Sequence, residues 1–119
     1  KTMVPVIAVK AEDSHVYQLE EGVFFDTKEK VLKSASLTKK LAPQVAYLLK
    51  LFLESEGYRL STSKIDENLW ADGSGTQERI YTVIRRLRKS LDGITHLMVD
   101  YENDIYQLYI KFRAALSTK

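Results

Sequence analysis

The chain has 119 residues, 18 Lys or Arg against 16 Asp or Glu, a formal net charge of +2 and no cysteine. That length suits one domain with a single core, and 45% hydrophobic with 29% charged residues excludes a wholly disordered chain. The absence of cysteine excludes disulfides, thiolate nucleophiles and Cys-based zinc sites, and the small net charge leaves any charged partner to be read from where the charge sits.

Short β-type runs come first: Val4 to Val9, Val16 to Leu19, Val23 to Phe25, Val31-Leu32 and a last segment near Ser36-Leu37. Turn-forming residues such as Glu20-Glu21-Gly22 and Asp26-Thr27-Lys28 separate them, which predicts a small antiparallel meander over about residues 4–40. A helix follows from Pro43 to Gly57, with Val45, Leu48, Leu49 and Phe52 at the spacing of one buried face. Pro43 suits its first turn, where a missing N–H costs nothing, while Ala42 is a poor cap. Tyr58-Arg59-Leu60 reads as a short extended crossing. Ser61 caps a second helix with Ile65, Leu69 and Trp70 inward, and Ala71 to Gly75 breaks the chain.

A third helix is predicted from Thr76 to Leu91, stopped by Asp92-Gly93. The last zone, about residues 96–112, reads as a β-hairpin turning at Asn103-Asp104, with Tyr106, Leu108, Ile110 and Phe112 on one face of its second strand. The expected fold is thus α+β in one domain spanning residues 1–119. Residues beyond Phe112 read as a frayed tail. The apolar stretch Val45 to Leu53 is far shorter than the ~20 residues of a membrane span, and the first residues given lack the basic and apolar regions of a signal peptide, so export is not expected. The expected location is the cytoplasm; a receiver, a sensor or a tether to the inner membrane is left open in sequence outside this chain.

Charge concentrates on the third helix. At about 100° per residue, Ile80, Ile84, Leu87 and Leu91 share a stripe roughly 40° wide that must face a core. Glu78, Thr82, Arg85, Arg86 and Lys89 lie opposite, with Arg79 near them and Arg88 on one flank. From Arg79 to Leu91 there are five cations and no acid. A helix fits the DNA major groove, and arginine there bonds a guanine edge in two places or clamps phosphates. Thr82 and Val83 offer small surfaces to thymine methyls. A solvated charged face is the alternative for any Lys/Arg run. The arginine-rich run, the short helix before it and the hairpin after it favour DNA, because helix, helix, hairpin is the winged helix-turn-helix order.

Three stretches resemble the effector domains of OmpR/PhoB-type response regulators and the related ToxR/CadC-type transcriptional regulators. They are Leu41 to Leu49, Leu60 to Trp70 and Ile84-Arg85-Arg86-Leu87-Arg88-Lys89-Ser90-Leu91, the last close to an I-x-R-L-R-x-x-L signature. The match covers about residues 16–110. It implies a four-stranded N-terminal sheet, a three-helix core, a C-terminal wing and the third helix in the major groove of double-stranded DNA. Arg86 is similar by position to a base-contacting arginine. Thr82, Val83, Arg85 and Lys89 match positions that meet bases or backbone, and Arg79 matches a phosphate contact. Asp72, Gly73 and Ser74 fall where some members touch RNA polymerase. Bacterial transcription regulation in a two-component-like setting is what the resemblance implies, and because one helix reads few base pairs, tandem or dimeric binding is the expectation.

The chain departs from that pattern in the wing. Tyr101 to Tyr106 replaces an Arg-Gly-x-Gly-Tyr-like stretch, and Asp100, Glu102 and Asp104 set negative charge where a phosphate backbone is expected. The rival reading is therefore a winged-helix protein-interaction module that uses its acidic wing and has weak or no specific DNA binding. Nothing points to an enzyme. His15 and His96 stand alone without triad or metal-ligand spacing, Gly73-Ser74-Gly75 lacks the rest of a phosphate loop, and no cofactor or metal is expected.

Overall fold

Alternation between residues 16 and 33 builds one apolar face of a sheet. The structure, a computed structural model, describes residues 9–10 and 15–110. It is α+β, with three α-helices and two antiparallel sheets. Strands β1 (Val9–Lys10), β2 (Val16–Glu20), β3 (Val23–Asp26), β4 (Val31–Lys33) and β5 (Thr38–Lys40) pair in chain order as a meander. Tyr17, Phe25, Leu32 and Lys39 occupy one row across β2 to β5. The first three are buried, and the Tyr17 and Phe25 rings stack at 6.5 Å. The row ends on a lysine that points the same way.

The sheet has five strands, as many as the β-type runs, where the resemblance implied four; β1 adds two residues to its edge, and the rest of the expected first strand, residues 4–8, lies outside the described residues. One detail differs from the reading of the runs. The last strand begins at Thr38, not near Ser36, because the Ser34 N–H bonds the Leu37 carbonyl at 2.8 Å and turns the chain there. The turn between β3 and β4 is set by the Asp26 carboxylate, which accepts the N–H groups of Lys28 (2.9 Å) and Glu29 (3.0 Å). These bonds, the Glu29 one foremost, hold the Asp26 carboxyl below its usual range.

Helix α1 (Pro43–Glu54) buries Val45, Ala46, Leu48, Leu49, Phe52 and Leu53. Ala42 gives it no side-chain cap, as expected. It stops before Gly57: Ser55 turns extended, its hydroxyl donates to the Leu51 carbonyl at 2.7 Å, and Glu56–Tyr58 form a 3-10 turn with Gly57 at φ 66°. The expected extended crossing is β6 (Arg59–Ser61). The Ser61 hydroxyl then caps α2 (Thr62–Leu69) by accepting the Lys64 N–H. Ile65 is fully buried, while Leu69 and Trp70 are half-buried and pack against the core.

Helix α3 (Gln77–Leu91) is capped by the Thr76 hydroxyl, which accepts the Arg79 N–H at 3.1 Å. Strands β7 (Leu97–Glu102) and β8 (Ile105–Ile110) follow, and β8 lies between β6 and β7 in the second sheet. Asn103 and Asp104 both take positive φ, 54° and 64°, as a two-residue hairpin turn of the primed type requires. Tyr106 and Leu108 are buried and Ile110 packs on the core; Phe112 and the expected tail lie outside the described residues. One cluster of buried residues joins both sheets and all three helices. Among the described residues, no helix is long and apolar enough to cross a membrane.

Candidate nucleic-acid interface

The core stripe of α3 contains Ile80, Ile84, Leu87 and Leu91, all expected there, and also Val83 at 2% exposure. That placement corrects the reading of Val83 as a groove contact. The stripe widens because α3 packs on α1 and α2 as well as on β7, so the flank carrying Val83 is covered. Its side chain belongs to folding. Arg79, Arg85, Arg86 and Lys89 are exposed and Thr82 is half-exposed, with its hydroxyl donating back to the Glu78 carbonyl at 2.9 Å.

The cations of α3 fall into two groups by what they touch. Arg88 leans over the second sheet, and its Nε (3.3 Å) and Nη2 (3.0 Å) both donate to the Val99 carbonyl. It fastens α3 to β7 and is half-buried, so the ridge keeps four accessible cations, not five. Arg86 lies on the opposite flank. With Gln44, Trp70, Glu78, Arg79, Thr82 and the edge of Val83 it lines a hollow of about 400 Å³ on the seam between α1 and α3, where Glu78 is the one carboxylate. Arg85 diverges from Arg86 toward the hairpin, where it shares a hollow with Met98 and Val99.

The two ends of α3 are fixed by different neighbours. At the N-terminal end, Arg79 Nη1 donates to the Ser74 carbonyl (3.3 Å) and hydroxyl (3.2 Å). The Asp72–Ser74 loop is thus joined to the basic ridge. Asp72 accepts the Ser74 N–H at 3.0 Å; bonding to Ser74 lowers its carboxyl below the usual range. Gly75 closes the loop with its N–H on Asp66 Oδ1 at 2.9 Å. A Cβ there would collide with the Asp66 carboxylate and the Trp70 ring, so glycine is needed for close approach and not only as a helix breaker.

At the C-terminal end, Lys39 Nζ reaches from the first sheet to the carbonyls of Ser90 (3.0 Å) and Asp92 (2.6 Å). A cation is favourable at that end of a helix. Just beyond, Glu20 accepts the Thr95 hydroxyl (2.6 Å) and the His96 N–H (2.7 Å), and its Oε2 lies 2.9 Å from His96 Nδ1. Burial of Glu20 opposes its charge, yet these bonds prevail and lower its pKa. No family model matches the chain, and no curated protein does.

The hairpin is acidic and exposed at Asp100, Glu102 and Asp104, as read from sequence. The Asp104 carbonyl accepts the Thr62 N–H at 3.0 Å, which ties the turn to the start of α2. Its carboxylate accepts the Tyr101 hydroxyl at 2.9 Å, a bond that raises the phenol's pKa. The Tyr101 ring lies 4.5 Å from that of Tyr106. Sequence reasoning gave no role to Lys39, Lys40, Gln44 or Glu20. Their only local signal was a pair of lysines just before the Pro43 helix start.

Proposed function

We propose that this chain is the DNA-binding output domain of a bacterial transcriptional regulator of the OmpR/PhoB winged helix-turn-helix type, with α3 as the helix that enters the major groove. One observation carries the reading. Helix α3 is anchored by a continuous apolar stripe, and the residues it exposes from Arg79 onward include four cations and no carboxylate. The element order α1, β6, α2, α3, β7, β8 supports it, since α2 precedes the basic helix and a hairpin follows. So does the position of Arg86, which matches the resemblance's base-contacting arginine. In this reading Arg86 bonds a base edge, while Arg79, Arg85 and Lys89 hold phosphates and Thr82 meets the groove. RNA polymerase at Asp72–Ser74 and tandem or dimeric binding belong to the same proposal.

The test is selection of bound fragments from a random duplex pool at stated salt, followed by titration of the selected site. Arg86→Ala is expected to cost about 1–3 kcal/mol on that site and to relax preference at one base pair. An α3 stripped of its exposed cations that still binds the site as well as wild type would sink the proposal.

A second reading, a protein-interaction module, is favoured by the hairpin alone. Met98 is 43% and Tyr101 45% exposed on β7, beside the three acids and at the edge of the second sheet. It leaves the cations of α3 without a role, which is why DNA binding is preferred.

A further inference from the structure

The α1–α3 seam continues past the hollow at Gln44 and Trp70. Beyond Arg86 it opens into a second hollow of about 460 Å³. Lys39, Lys40, Arg86 and Lys89 line it, with Ala42 and Val45 on the α1 side. No carboxylate is among the described residues that line it. Two of these cations come from α3 and two from β5, a strand of the sheet that the fold would otherwise use only as support. Lys39 is met by the carbonyls at the end of α3, while the other three cations, Lys40, Arg86 and Lys89, are exposed and together favour an anion held among them.

The register of the first sheet produces this convergence. Leu32 pairs with Lys39 and Val31 with Lys40. Lys39 therefore shares the inward face with Leu32 and reaches the last carbonyls of α3. That contact draws the end of β5 against the end of α3. Lys40, the next residue, is exposed and is delivered to the rim of the same hollow as Arg86 and Lys89. Lys39 is the positioning residue here, and Lys40 is the one offered to a ligand.

We propose that Lys40, with Lys89, binds a phosphate of the DNA backbone adjacent to the base read by Arg86, so that the first sheet is part of the DNA interface. The proposal rests on the DNA-binding reading. Arg86 lines both hollows of the seam, so one strand's backbone running along the seam meets Arg79, Arg86 and then Lys40 and Lys89 in order. A phosphate held at the far end fixes the register of the base contact, since backbone contacts position and base contacts specify.

The experiment measures binding of a short mixed-sequence duplex across a range of salt for wild type, Lys40→Gln and Lys50→Gln. Lys50 sits on the later part of α1, is paired on the surface with Glu54, and controls for loss of one positive charge anywhere on the domain. Lys40→Gln is expected to lower the slope of log K against log salt by about one unit, with Lys50→Gln matching wild type. Thermal melts of the three proteins should coincide, because both lysines are at the surface. If wild type binds and Lys40→Gln keeps the slope of Lys50→Gln, the Lys40 site is overturned while DNA binding stands. If wild type shows no salt-dependent duplex binding, the functional reading itself fails, and the phosphate site with it.

Discussion

Arg86 and Arg88 are two residues apart on one helix, and they do different work. Arg88 faces the hairpin, bonds a backbone carbonyl twice and is half-buried. Arg86 faces α1, is exposed, and lies in a seam lined with other cations. On the hairpin flank of α3 Arg88 closes the fold while Arg85 stays exposed; on the α1 flank Arg86 is left available. A basic run in a sequence is therefore not one feature. Only the neighbours of each position decide whether a cation holds the protein together or is offered to a partner.

The largest expected effect on stability comes from testing that division directly. Arg88→Met removes both bonds to the Val99 carbonyl while keeping an apolar stem. Hydrogen bonds from a charged donor contribute about 1.5–3 kcal/mol, so the denaturant midpoint should fall by that equivalent. Arg86→Met should stay within about 0.5 kcal/mol of wild type, as an exposed substitution away from any anchor does. Equal losses in the two variants would erase the distinction between the flanks.

A somewhat smaller loss is expected on cutting Glu20, which ties the first sheet to the loop after α3. Its folded pKa lies below the unfolded value. The stabilisation it contributes is therefore complete above the unfolded glutamate value of about 4.3 and disappears as the pH falls through the lower, folded value. Glu20→Gln should cost about 1–2 kcal/mol at neutral pH. Its stability should also decline less steeply than wild type on acidification below about pH 4. Parallel pH profiles would show that the Thr95 and His96 contacts do not prefer the carboxylate. Asp26 and Asp72 also have lowered pKa values, and comparison with wild type at each pH removes their shared contribution.

Local pattern explains what could be read in advance. The helices, the Ser61 cap, the crossing at Arg59 and the turn at Asn103-Asp104 all follow from periodicity and turn chemistry within a few residues. Val83 was misread because a helix wheel shows one stripe, whereas α3 packs against helices on one side and a strand on the other. The helix end at Glu54 was missed because Ser55, and not the more conspicuous Gly57, breaks the backbone pattern. The anchors of α3 were out of reach of any local rule. Lys39 meets Ser90 across 51 positions and Glu20 meets Thr95 across 75. Such pairs exist only once the meander has folded against the helices. The candidate site was half legible for the same reason: its α3 residues announce themselves as a run, and Lys40 joins them only through the register of β4 and β5.

The smallest expected effect concerns the hairpin, and it bears most on what the flanks are for. Asp104 already has two local tasks, since its carboxylate accepts the Tyr101 hydroxyl and its carbonyl accepts the Thr62 N–H. An asparagine at 104 keeps an acceptor for Tyr101 and tolerates the positive φ of the turn. The double substitution Glu102→Gln with Asp104→Asn therefore removes charge with little change of shape. If the hairpin lies beside the duplex, non-specific binding at low salt should tighten by about 1 kcal/mol or less, and the gain should fade as added salt shortens the screening length. Unchanged affinity at every salt concentration would mean that the hairpin points away from DNA. The exposed Met98 and Tyr101 would then be the surface to test for a protein partner, with the α1 flank still carrying the duplex.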